Sequence, residues 1–413
     1  MQPTDIVILS NGPGEVVTWV RPVVKHLDEI KKRSPDRIRI SVLLSPCPHS
    51  TGREEAIASS YSQVDRVLPA KDFFKFLLWG KTPDNWQWHQ RGIVVFLGGD
   101  QFYTVAISRR LKYSSLIYAE WDARWYRWVD RFAAMNQNVI DRIPHAYRHK
   151  FSLVGDLMAD VALEVEDRTE FVGSTIGLLV GSKPAKLFQG VPLCLAIAEK
   201  IQQQQPQTQF VIPVAPTLNL TSLSKYANRQ NNPLISSLGK VEAKLITSSM
   251  PYLITSGGTK IQLITEFPAY KTLVNCQLCL TTVGANTAEL TALAVPMIVL
   301  LPTQQLDAMR SWDGLPGILA GLPGVGMVFA KLINWIVLRQ GRLFAWPNIW
   351  AKEEIVPELV GKLKPETVAR LVLNYLKNPH QLSAMSDRLK AVRGTTGVAE
   401  RIADIIEKEI TKI

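Results

Sequence analysis

Residues 280–289, Leu-Thr-Thr-Val-Gly-Ala-Asn-Thr-Ala-Glu, contain the end of an apolar strand, a glycine turn at Gly284 and the start of a helix. This order of elements is typical of a parallel α/β sheet, whose ligands bind beyond the carboxyl ends of the strands. Asn286 and Thr287 fall in the first helical turn, where the helix dipole favours phosphate. Glu289 follows along the helix and can accept two hydrogen bonds from a ribose diol. The stretch indicates a nucleotide site, although taken by itself it fits a surface glutamate on a capped helix equally well.

Short apolar runs of this kind recur along the chain and alternate with longer amphipathic stretches, which predicts buried parallel strands covered by helices. The predicted strands are residues 5–10, 39–45, 93–99, 114–120, 131–136, 151–155, 175–181, 209–215, 252–256, 277–282 and 296–302.

A charged segment at 164–170 interrupts the alternation and is the predicted linker between two domains. We therefore predict an α/β protein with two Rossmann-like lobes whose parallel sheets face a central cleft. The predicted boundaries are an N-terminal lobe at 1–167, a second lobe at 168–378 and a helical segment at 379–413. That last segment is expected to cross back onto the first lobe or onto a partner in a homodimer.

The composition is that of an ordinary globular protein of 413 residues, with 46% hydrophobic and 20% charged residues. Four cysteines are few for this length, and no basic, apolar leader precedes the first strand, so we expect reduced thiols and a cytoplasmic protein. The formal net charge of +11 predicts attraction to anionic partners, which include nucleic acid, phosphorylated substrates and acidic lipids.

Two further glycine turns follow predicted strands, at residues 10–15 (Ser-Asn-Gly-Pro-Gly-Glu) and at 181–183 (Gly-Ser-Lys). The first fails as a dinucleotide fingerprint, since Val17 stands where the third glycine belongs. The second lacks the spacing of a nucleotide-hydrolysing phosphate loop. We accordingly expect no cofactor, and both turns remain candidates for contacts with sugar hydroxyls or phosphates.

The sequence resembles the lipid-A-disaccharide synthase family across nearly the whole chain. The segments that carry the resemblance, in family order, are 153–160, 181–183, 284–289 and 347–359. The resemblance implies a GT-B glycosyltransferase that is inverting and metal-independent, with a UDP-sugar donor, such as an acylated UDP-glucosamine, and a lipid-borne acceptor. It also implies peripheral association with the cytoplasmic face of the inner membrane.

The same resemblance assigns the candidate site residues. It implies that Glu289 holds the uridine ribose, that Gly284 and Thr287 hold the diphosphate, and that Lys183 replaces a family arginine at the phosphates. The candidate donor-binding residues are Gly181, Ser182, Lys183, Gly284, Asn286, Thr287, Glu289, Asn348 and Glu354. The candidate acceptor-side residues are Asn11, Gly12, Gly14, Glu15, Trp121 and Arg124.

Asp100 is the candidate general base, because the family carries acids after the fourth strand and this chain keeps one aspartate there. An acid at that point can instead cap the following helix. The chain also departs from the family where a loop histidine is Asp156 and where the arginine beside Glu354 is Glu353. These changes in charge make a different sugar or acceptor plausible.

Aromatic and basic residues interleave at 117–128, a composition suited to a phosphorylated glycolipid or to single-stranded nucleic acid. The family has a Trp-rich stretch at the same point, which favours the lipid, and we expect no nucleic acid partner. Residues 72–80 predict an interfacial patch with Trp79 and Lys75 at headgroup level, or an ordinary core helix. The apolar run at 314–338 is broken by glycines and prolines, which favours a surface or dimer helix over a membrane span.

Two rival functions remain open. A nucleotide-sugar epimerase or hydrolase on the same fold would keep the Glu289 site without needing a lipid. A catalytically inactive, membrane-associated scaffold would explain the reduced acid cluster around Asp100.

Overall fold

A computed structural model describes residues 2–33, 37–47, 50, 52–165, 174–302 and 343–412. The described chain divides into two compact units, Met1–Leu163 with Gly394–Ile413, and Glu164–Arg393. The predicted linker at 164–170 lies mostly outside the described residues, and the apolar run at 314–338 lies wholly outside them. None of the described helices combines the length and the apolarity that crossing a bilayer requires.

The strands are β1 (Thr4–Ser10), β2 (Ile38–Leu44), β3 (Arg66–Leu68), β4 (Arg91–Phe96), β5 (Ser114–Ala119), β6 (Arg131–Ala134), β7 (Phe151–Leu153), β8 (Thr175–Leu179), β9 (Gln209–Pro213), β10 (Ala243–Ile246), β11 (Tyr252–Thr255), β12 (Lys260–Ile264), β13 (Leu278–Thr282), β14 (Met297–Pro302) and β15 (Glu358–Gly361). The α-helices are α1 (Pro13–Glu15), α2 (Arg21–Arg33), α3 (Glu54–Ser59), α4 (Phe73–Trp79), α5 (Gln101–Leu111), α6 (Gln137–Asp141), α7 (Pro184–Gln204), α8 (Leu220–Lys225), α9 (Tyr270–Val274), α10 (Ala285–Ala292), α11 (Trp346–Ala351), α12 (Pro365–Lys377), α13 (Pro379–Val392) and α14 (Val398–Lys412). Short 3-10 helices occur at Ala70–Asp72, His145–Lys150, Leu157–Glu164 and Pro233–Ser236, and a π-helix joins α1 to α2 at Val16–Val20.

The first unit contains a parallel sheet in the order β3-β2-β1-β4-β5-β6-β7. All seven residues of β1 are buried, and they divide between the two faces because side chains alternate along a strand. Ile6 and Ile8 pack into one apolar cluster, and Val7 and Leu9 pack into another on the opposite face. A strand buried on both faces reads as a continuous apolar run, which is why the sequence predicted it.

The second unit contains a sheet in the order β10-β11-β12-β9-β8-β13-β14-β15. From β12 to β15 in this order, each strand pairs in parallel with its neighbour, and this pairing was predicted for β8, β9, β13 and β14. The strand β11 was predicted correctly in position but wrongly in direction, since it runs antiparallel to both β10 and β12. A tight connection joins β11 to β12, with Thr255 N donating to Thr259 O at 3.0 Å, and a connection this short permits only antiparallel pairing.

The C-terminal helices divide between the units. Helix α13 packs against α10 and α12 of the second unit, whereas α14 packs against α2 of the first. The boundary between the two units thus falls between residues 393 and 394. It lies within the segment 379–413, which was predicted to cross back as one piece. Helix α14 buries an apolar face that includes Ile402, Ile406 and Ile410 in the same cluster as Ile6 and Ile8.

Each sheet has a point where the strand order reverses. In the first unit, β2 lies on one side of β1 and β4 lies on the other side. In the second unit, β9 and β13 lie on opposite sides of β8 in the same way. Loops that follow the two central strands diverge at such a point and leave a crevice for ligands. The candidate loops at 10–15, 97–100, 181–183 and 283–289 all follow these central strands.

Candidate functional site

The two candidate donor loops of the second unit lie side by side. They follow β8 and β13, which are parallel neighbours with Leu179 opposite Thr281. Gly181 has φ +88° and approaches β13 so closely that a Cβ there would lie 3.3 Å from Thr282 Oγ1. The structure therefore brings together two segments that are about a hundred residues apart in the sequence.

The turn that begins α10 depends on Gly284, whose φ of +136° is strained for any residue with a Cβ. Thr287 is fully buried, and its hydroxyl donates to Gly284 O at 2.9 Å and accepts from Trp346 N at 3.3 Å. This engagement makes Thr287 a residue that shapes the turn, a different role from the diphosphate contact that the resemblance implies. Asn286 is partly exposed in the first helical turn, where backbone N–H groups lack intrahelical partners.

Glu289 lies on α10, one turn after the helix begins. Burial raises the pKa of its carboxyl to about 7, from an ordinary value of 4.5. Within the described part of the chain its carboxylate has neither a hydrogen-bond donor nor an ion-pair partner. A desolvated carboxylate with free acceptor positions can receive two hydrogen bonds from a diol.

Lys186 is a cation of this site that the sequence analysis missed. It lies near the start of α7, and its Nζ donates to the carbonyl oxygen of Val283, directly before the α10 turn. Burial, and secondarily the charge of Lys183, lower the pKa of Lys186 to about 8. Lys183 itself is exposed, and its backbone carbonyl caps α7 by accepting from the amides of Lys186 and Leu187. These two lysines are three residues apart in sequence, and only the tertiary structure shows that one is exposed and the other largely buried.

The segment at 347–359 is held together by Asn348. Its side-chain amide donates to Val356 O and Glu358 Oε1, both at 2.8 Å, and its oxygen accepts from the amides of Ile355 and Val356. All four hydrogen-bonding positions of this buried amide are thus filled. Asn348 therefore organises its own segment, which differs from the donor contact implied by the resemblance, and Glu354 is exposed at the surface.

In the first unit, the turn at 11–15 folds back on itself. Asn11 Oδ1 accepts from Gly12 N at 2.7 Å, and the Glu15 carboxylate lies over Gly12, where a Cβ would be 2.2 Å from Glu15 Oε2. The loop after β4 packs against this turn, since a Cβ at Gly98 would lie 3.1 Å from the Glu15 side chain. A Cβ at Gly14 would meet nothing within 4 Å.

Glu120 of the first unit lies within the electrostatic influence of two other carboxyl groups, those of Asp156 and Glu15, and neither Glu120 nor Asp156 was predicted as a site residue. Burial first, and then the negative charges of Asp156 and Glu15, raise the pKa of Glu120 to about 7. Burial also raises the pKa of Asp156 to about 6. Tyr118 of β5 connects the two segments that carry Glu120 and Asp156, because its hydroxyl donates to Gly155 O and accepts from Leu157 N. Glu120 directly follows β5, a position that could have suggested it.

Asp100 adopts the alternative role foreseen for it. It is the N-cap of α5, and its Oδ1 accepts from Phe102 N at 2.9 Å. Its side chain is exposed. Its role as a general base stays a prediction. Glu120 is a second candidate, because its pKa of about 7 is close to neutral pH.

The aromatic segment after β5 is partly exposed. Trp121 is 47% exposed, and Arg124 forms a surface ion pair with Asp122 while its backbone amide donates to the buried Gln101. Ring contacts continue from Phe102 to Trp125 at 5.3 Å and on to Trp128, over which Arg109 lies at 5.1 Å. We call the exposed side chains of this region and of α4 the aromatic surface; they are Phe74, Leu78, Trp79, Phe102, Trp121 and Trp128.

Curated proteins that resemble the chain in sequence are named lipid-A-disaccharide synthase. The one from Nitrosococcus oceani is 22% identical over 242 residues, which are 57% of this chain and 49% of that protein. The one from Geobacter sulfurreducens is 21% identical over 273 residues, which are 63% of this chain and 58% of that protein. The matched part thus spans about half the length of these relatives. No protein-family profile matches the chain.

Solved structures show the same fold at low identity. The structure of S. aureus MnaA with UDP has a TM-score of 0.56 at 12% identity and covers 100% of this chain and 98% of that one. The UDP-GlcNAc 2-epimerase of Neisseria meningitidis bound to UDP-GlcNAc has a TM-score of 0.52 at 14% identity, with 98% and 100% covered. The chain is therefore similar in sequence to lipid-A-disaccharide synthases over part of their length, and it shares its fold of two α/β units with these two solved structures.

Proposed function

We propose that this protein is an inverting, metal-independent glycosyltransferase that moves a sugar from a UDP-sugar to a lipid or lipid-phosphate acceptor at a membrane surface. The observation that carries the proposal is Glu289, a desolvated carboxylate one turn after the start of α10, beside the Gly181 loop. In this arrangement the carboxylate accepts hydrogen bonds from the uridine ribose, while the amide-rich start of α10 receives the diphosphate.

Both candidate bases, Asp100 and Glu120, belong to the first unit. A base takes the proton of the acceptor hydroxyl, and the oxygen attacks the anomeric carbon on the side opposite the departing UDP, which inverts that carbon. The resemblance assigns this proton transfer to Asp100. The raised pKa of Glu120, about 7, favours Glu120 as the group that accepts a proton near neutral pH.

The aromatic surface supports a lipid acceptor and peripheral binding to the cytoplasmic face of the inner membrane. Phe74, Leu78 and Trp79 are 46%, 58% and 65% exposed on α4, whereas Phe73 and Phe76 of the same helix are fully buried. A short helix with one face in the core and aromatic residues on the other suits an interfacial position. The buried face of this helix has the core role, and its exposed face supports the proposed interfacial one.

The decisive experiment is a mass-spectrometric comparison of glycolipids from cells with and without the protein. We expect one glycolipid to disappear and its acceptor, smaller by one sugar, to accumulate. Purified protein should then release UDP when that acceptor and the UDP-sugar are both present. If no glycolipid changes and no acceptor supports UDP release, the proposal is wrong and the inactive scaffold is favoured.

A nucleotide-sugar epimerase is the second candidate, because the fold is shared with the UDP-GlcNAc 2-epimerases. Similarity at this identity concerns the fold alone, whereas the similarity in sequence is to the synthases. Incubation with UDP-GlcNAc in the absence of an acceptor separates the two candidates. An epimerase forms the C2 epimer under these conditions, and the proposed transferase leaves the nucleotide sugar unchanged.

A further inference from the structure

Lys186 occupies space that two glycines leave open between the candidate donor loops. A Cβ at Gly284 would lie 2.8 Å from Lys186 Nζ, and a Cβ at Gly181 would lie 3.1 Å from both Cβ and Cδ of Lys186. The lysine stem therefore crosses one glycine turn and its ammonium ends over the other. Both turns need glycine for their positive φ, and both also need it to admit this side chain.

The Lys186 ammonium has binding capacity that the described residues do not use. Its described hydrogen bond goes to the carbonyl of Val283, and no carboxylate of the described chain forms an ion pair with it. An ammonium carries three donor hydrogens, and a mostly desolvated one without a counter-ion is costly. Burial, followed by the positive charge of Lys183, lowers the pKa of Lys186 to about 8, and a bound anion would oppose both effects.

A second polar group at the same turn also lacks a partner. Thr282 Oγ1, at the end of β13, is buried and has no hydrogen-bond partner among the described residues. It lies beside Gly181, at the edge where Lys186 and the start of α10 meet. An unpaired hydroxyl, an uncompensated cation and free helix amides together are suited to an anion that accepts several hydrogen bonds.

We propose that Lys186, and not Lys183, is the cation that binds the diphosphate of the nucleotide-sugar donor. This inference rests on the proposed function, and it assigns a catalytic residue for the departure of UDP. When the bond from the anomeric carbon to the β-phosphate oxygen breaks, the electron pair stays on that oxygen. Lys186 and the first amides of α10 stabilise the resulting charge, which is the role a metal ion has in other transferases.

The test compares the affinities of UDP and of uridine for the full-length protein, by calorimetry for UDP and by ligand-observed NMR for uridine. Lys186→Met removes the charge and keeps an unbranched side chain of similar length, and Lys183→Met is the matched control. We expect Lys186→Met to weaken UDP binding about tenfold or more, because hydrogen bonds to charged groups are the strong ones. Uridine binding should change by less than about twofold, since it makes no diphosphate contact, and Lys183→Met should change UDP affinity by less than about threefold, as expected of an exposed charge.

Three outcomes would overturn the assignment. They are an equal loss of UDP and uridine affinity in Lys186→Met, which indicates disturbed packing, an unchanged UDP affinity in that variant, or a larger loss in Lys183→Met. If wild-type protein binds UDP and only Glu289→Gln weakens it, the proposed function stands and the Lys186 assignment alone is wrong. If wild-type protein binds no UDP, both fail.

Discussion

At the scale of single residues, burial raises the pKa of both Glu289 and Glu120 to about 7, and neighbouring negative charges add to the shift only at Glu120. For Glu289 burial is the cause, and the described residues supply no partner. For Glu120 burial is the largest cause, and the neighbouring charges of Asp156 and Glu15 add to it. Both groups therefore retain a proton until near-neutral pH, and once ionised the carboxylate of Glu289 can accept hydrogen bonds from a ligand.

The raised pKa of Glu289 makes this residue a source of instability at high pH. The pKa of its carboxyl is about 7 in the folded protein and ordinarily 4.5, so as the pH rises the unfolded chain loses this proton first and the folded state loses stability between these two values. We therefore expect Glu289→Gln to increase the free energy of unfolding at pH 8 by about 1–2 kcal/mol, a value reduced by solvent screening of the partly exposed side chain. At pH 4.5 the variant and the wild type should be equally stable.

Urea unfolding at the two pH values measures this difference. The exposed Glu266 provides the control, and Glu266→Gln should leave stability unchanged at both. Equal stabilisation of Glu289→Gln at both pH values would contradict the prediction. The same variant should bind uridine more weakly, since an amide oxygen replaces the carboxylate at the diol.

Variants of Glu120 and Asp100 separate the two candidate bases. Glu120→Gln should lower kcat for UDP release about 10²- to 10⁴-fold, the usual contribution of a general base. Asp100→Asn should lower it by less than about tenfold, because asparagine preserves the cap of α5. In wild type, kcat should rise with pH through about 7, as the Glu120 carboxyl loses its proton.

The measurement is steady-state UDP release with the acceptor found by glycolipid analysis. A larger loss in Asp100→Asn than in Glu120→Gln would assign the base as the resemblance implies. A kcat that falls between pH 6 and 8 in wild type would exclude Glu120 as the base.

At the scale of secondary structure elements, α14 is attached to the first unit by a carboxylate from elsewhere in the chain. Asp160, in the 3-10 helix Leu157–Glu164, accepts from the amides of Gly397, Val398 and Ala399 at 2.6, 3.0 and 2.6 Å. These amides begin α14, so Asp160 acts as its N-terminal cap from 237 to 239 residues away in sequence. The contact fixes the position at which the last helix meets the first sheet.

Removal of this cap should destabilise the first unit. Asp160→Ala leaves three buried or half-buried amides without an acceptor, and we expect a loss of about 2 kcal/mol in its free energy of unfolding. Urea unfolding together with limited proteolysis near residue 394 would detect it. Asp387→Ala, an exposed aspartate on α13, should change stability by less than about 0.5 kcal/mol. Resistance of Asp160→Ala to both measurements would show that apolar packing alone holds α14.

At the scale of the whole molecule, the net charge of +11 and the aromatic surface both bear on the proposed binding to membranes. Long-range attraction to anionic lipid depends on net charge and weakens with salt, whereas insertion of Trp79 and Phe74 depends on contact. Binding to anionic membranes should therefore have a salt-dependent and a salt-independent part.

Binding to vesicles of phosphatidylglycerol and phosphatidylethanolamine tests both parts. We expect Trp79→Glu with Phe74→Glu to weaken binding about tenfold or more at high and low salt alike, because apolar surface no longer leaves water. Raising the salt concentration should weaken wild-type binding as well. Met250→Glu, at a 68% exposed position in the second unit, serves as control. Equal effects of the two sets of substitutions would show that the aromatic surface is not the contact.

The sequence by itself determined the strand positions and the α/β fold, because a strand buried on both faces must be a local apolar run. It missed β3, β10, β12 and β15, which are short and not buried throughout, and it could not show that β11 runs antiparallel. The family motifs likewise supplied Glu289 and its loop as candidates. These features depend on residues that are neighbours in sequence, so hydrophobic periodicity and turn residues are enough to predict them.

Tertiary structure alone decided which side chains at the loops are free to act. Lys183 and Lys186 differ in burial and in what each contacts, and the amide of Asn348 is filled by partners seven to ten residues away. The Asp100 carboxylate accepts a hydrogen bond from the helix that it caps. Glu120 is buried and lies near the negative charges of Glu15 and Asp156. Desolvation and charge proximity depend on groups distant in the chain, and a linear sequence carries no record of them.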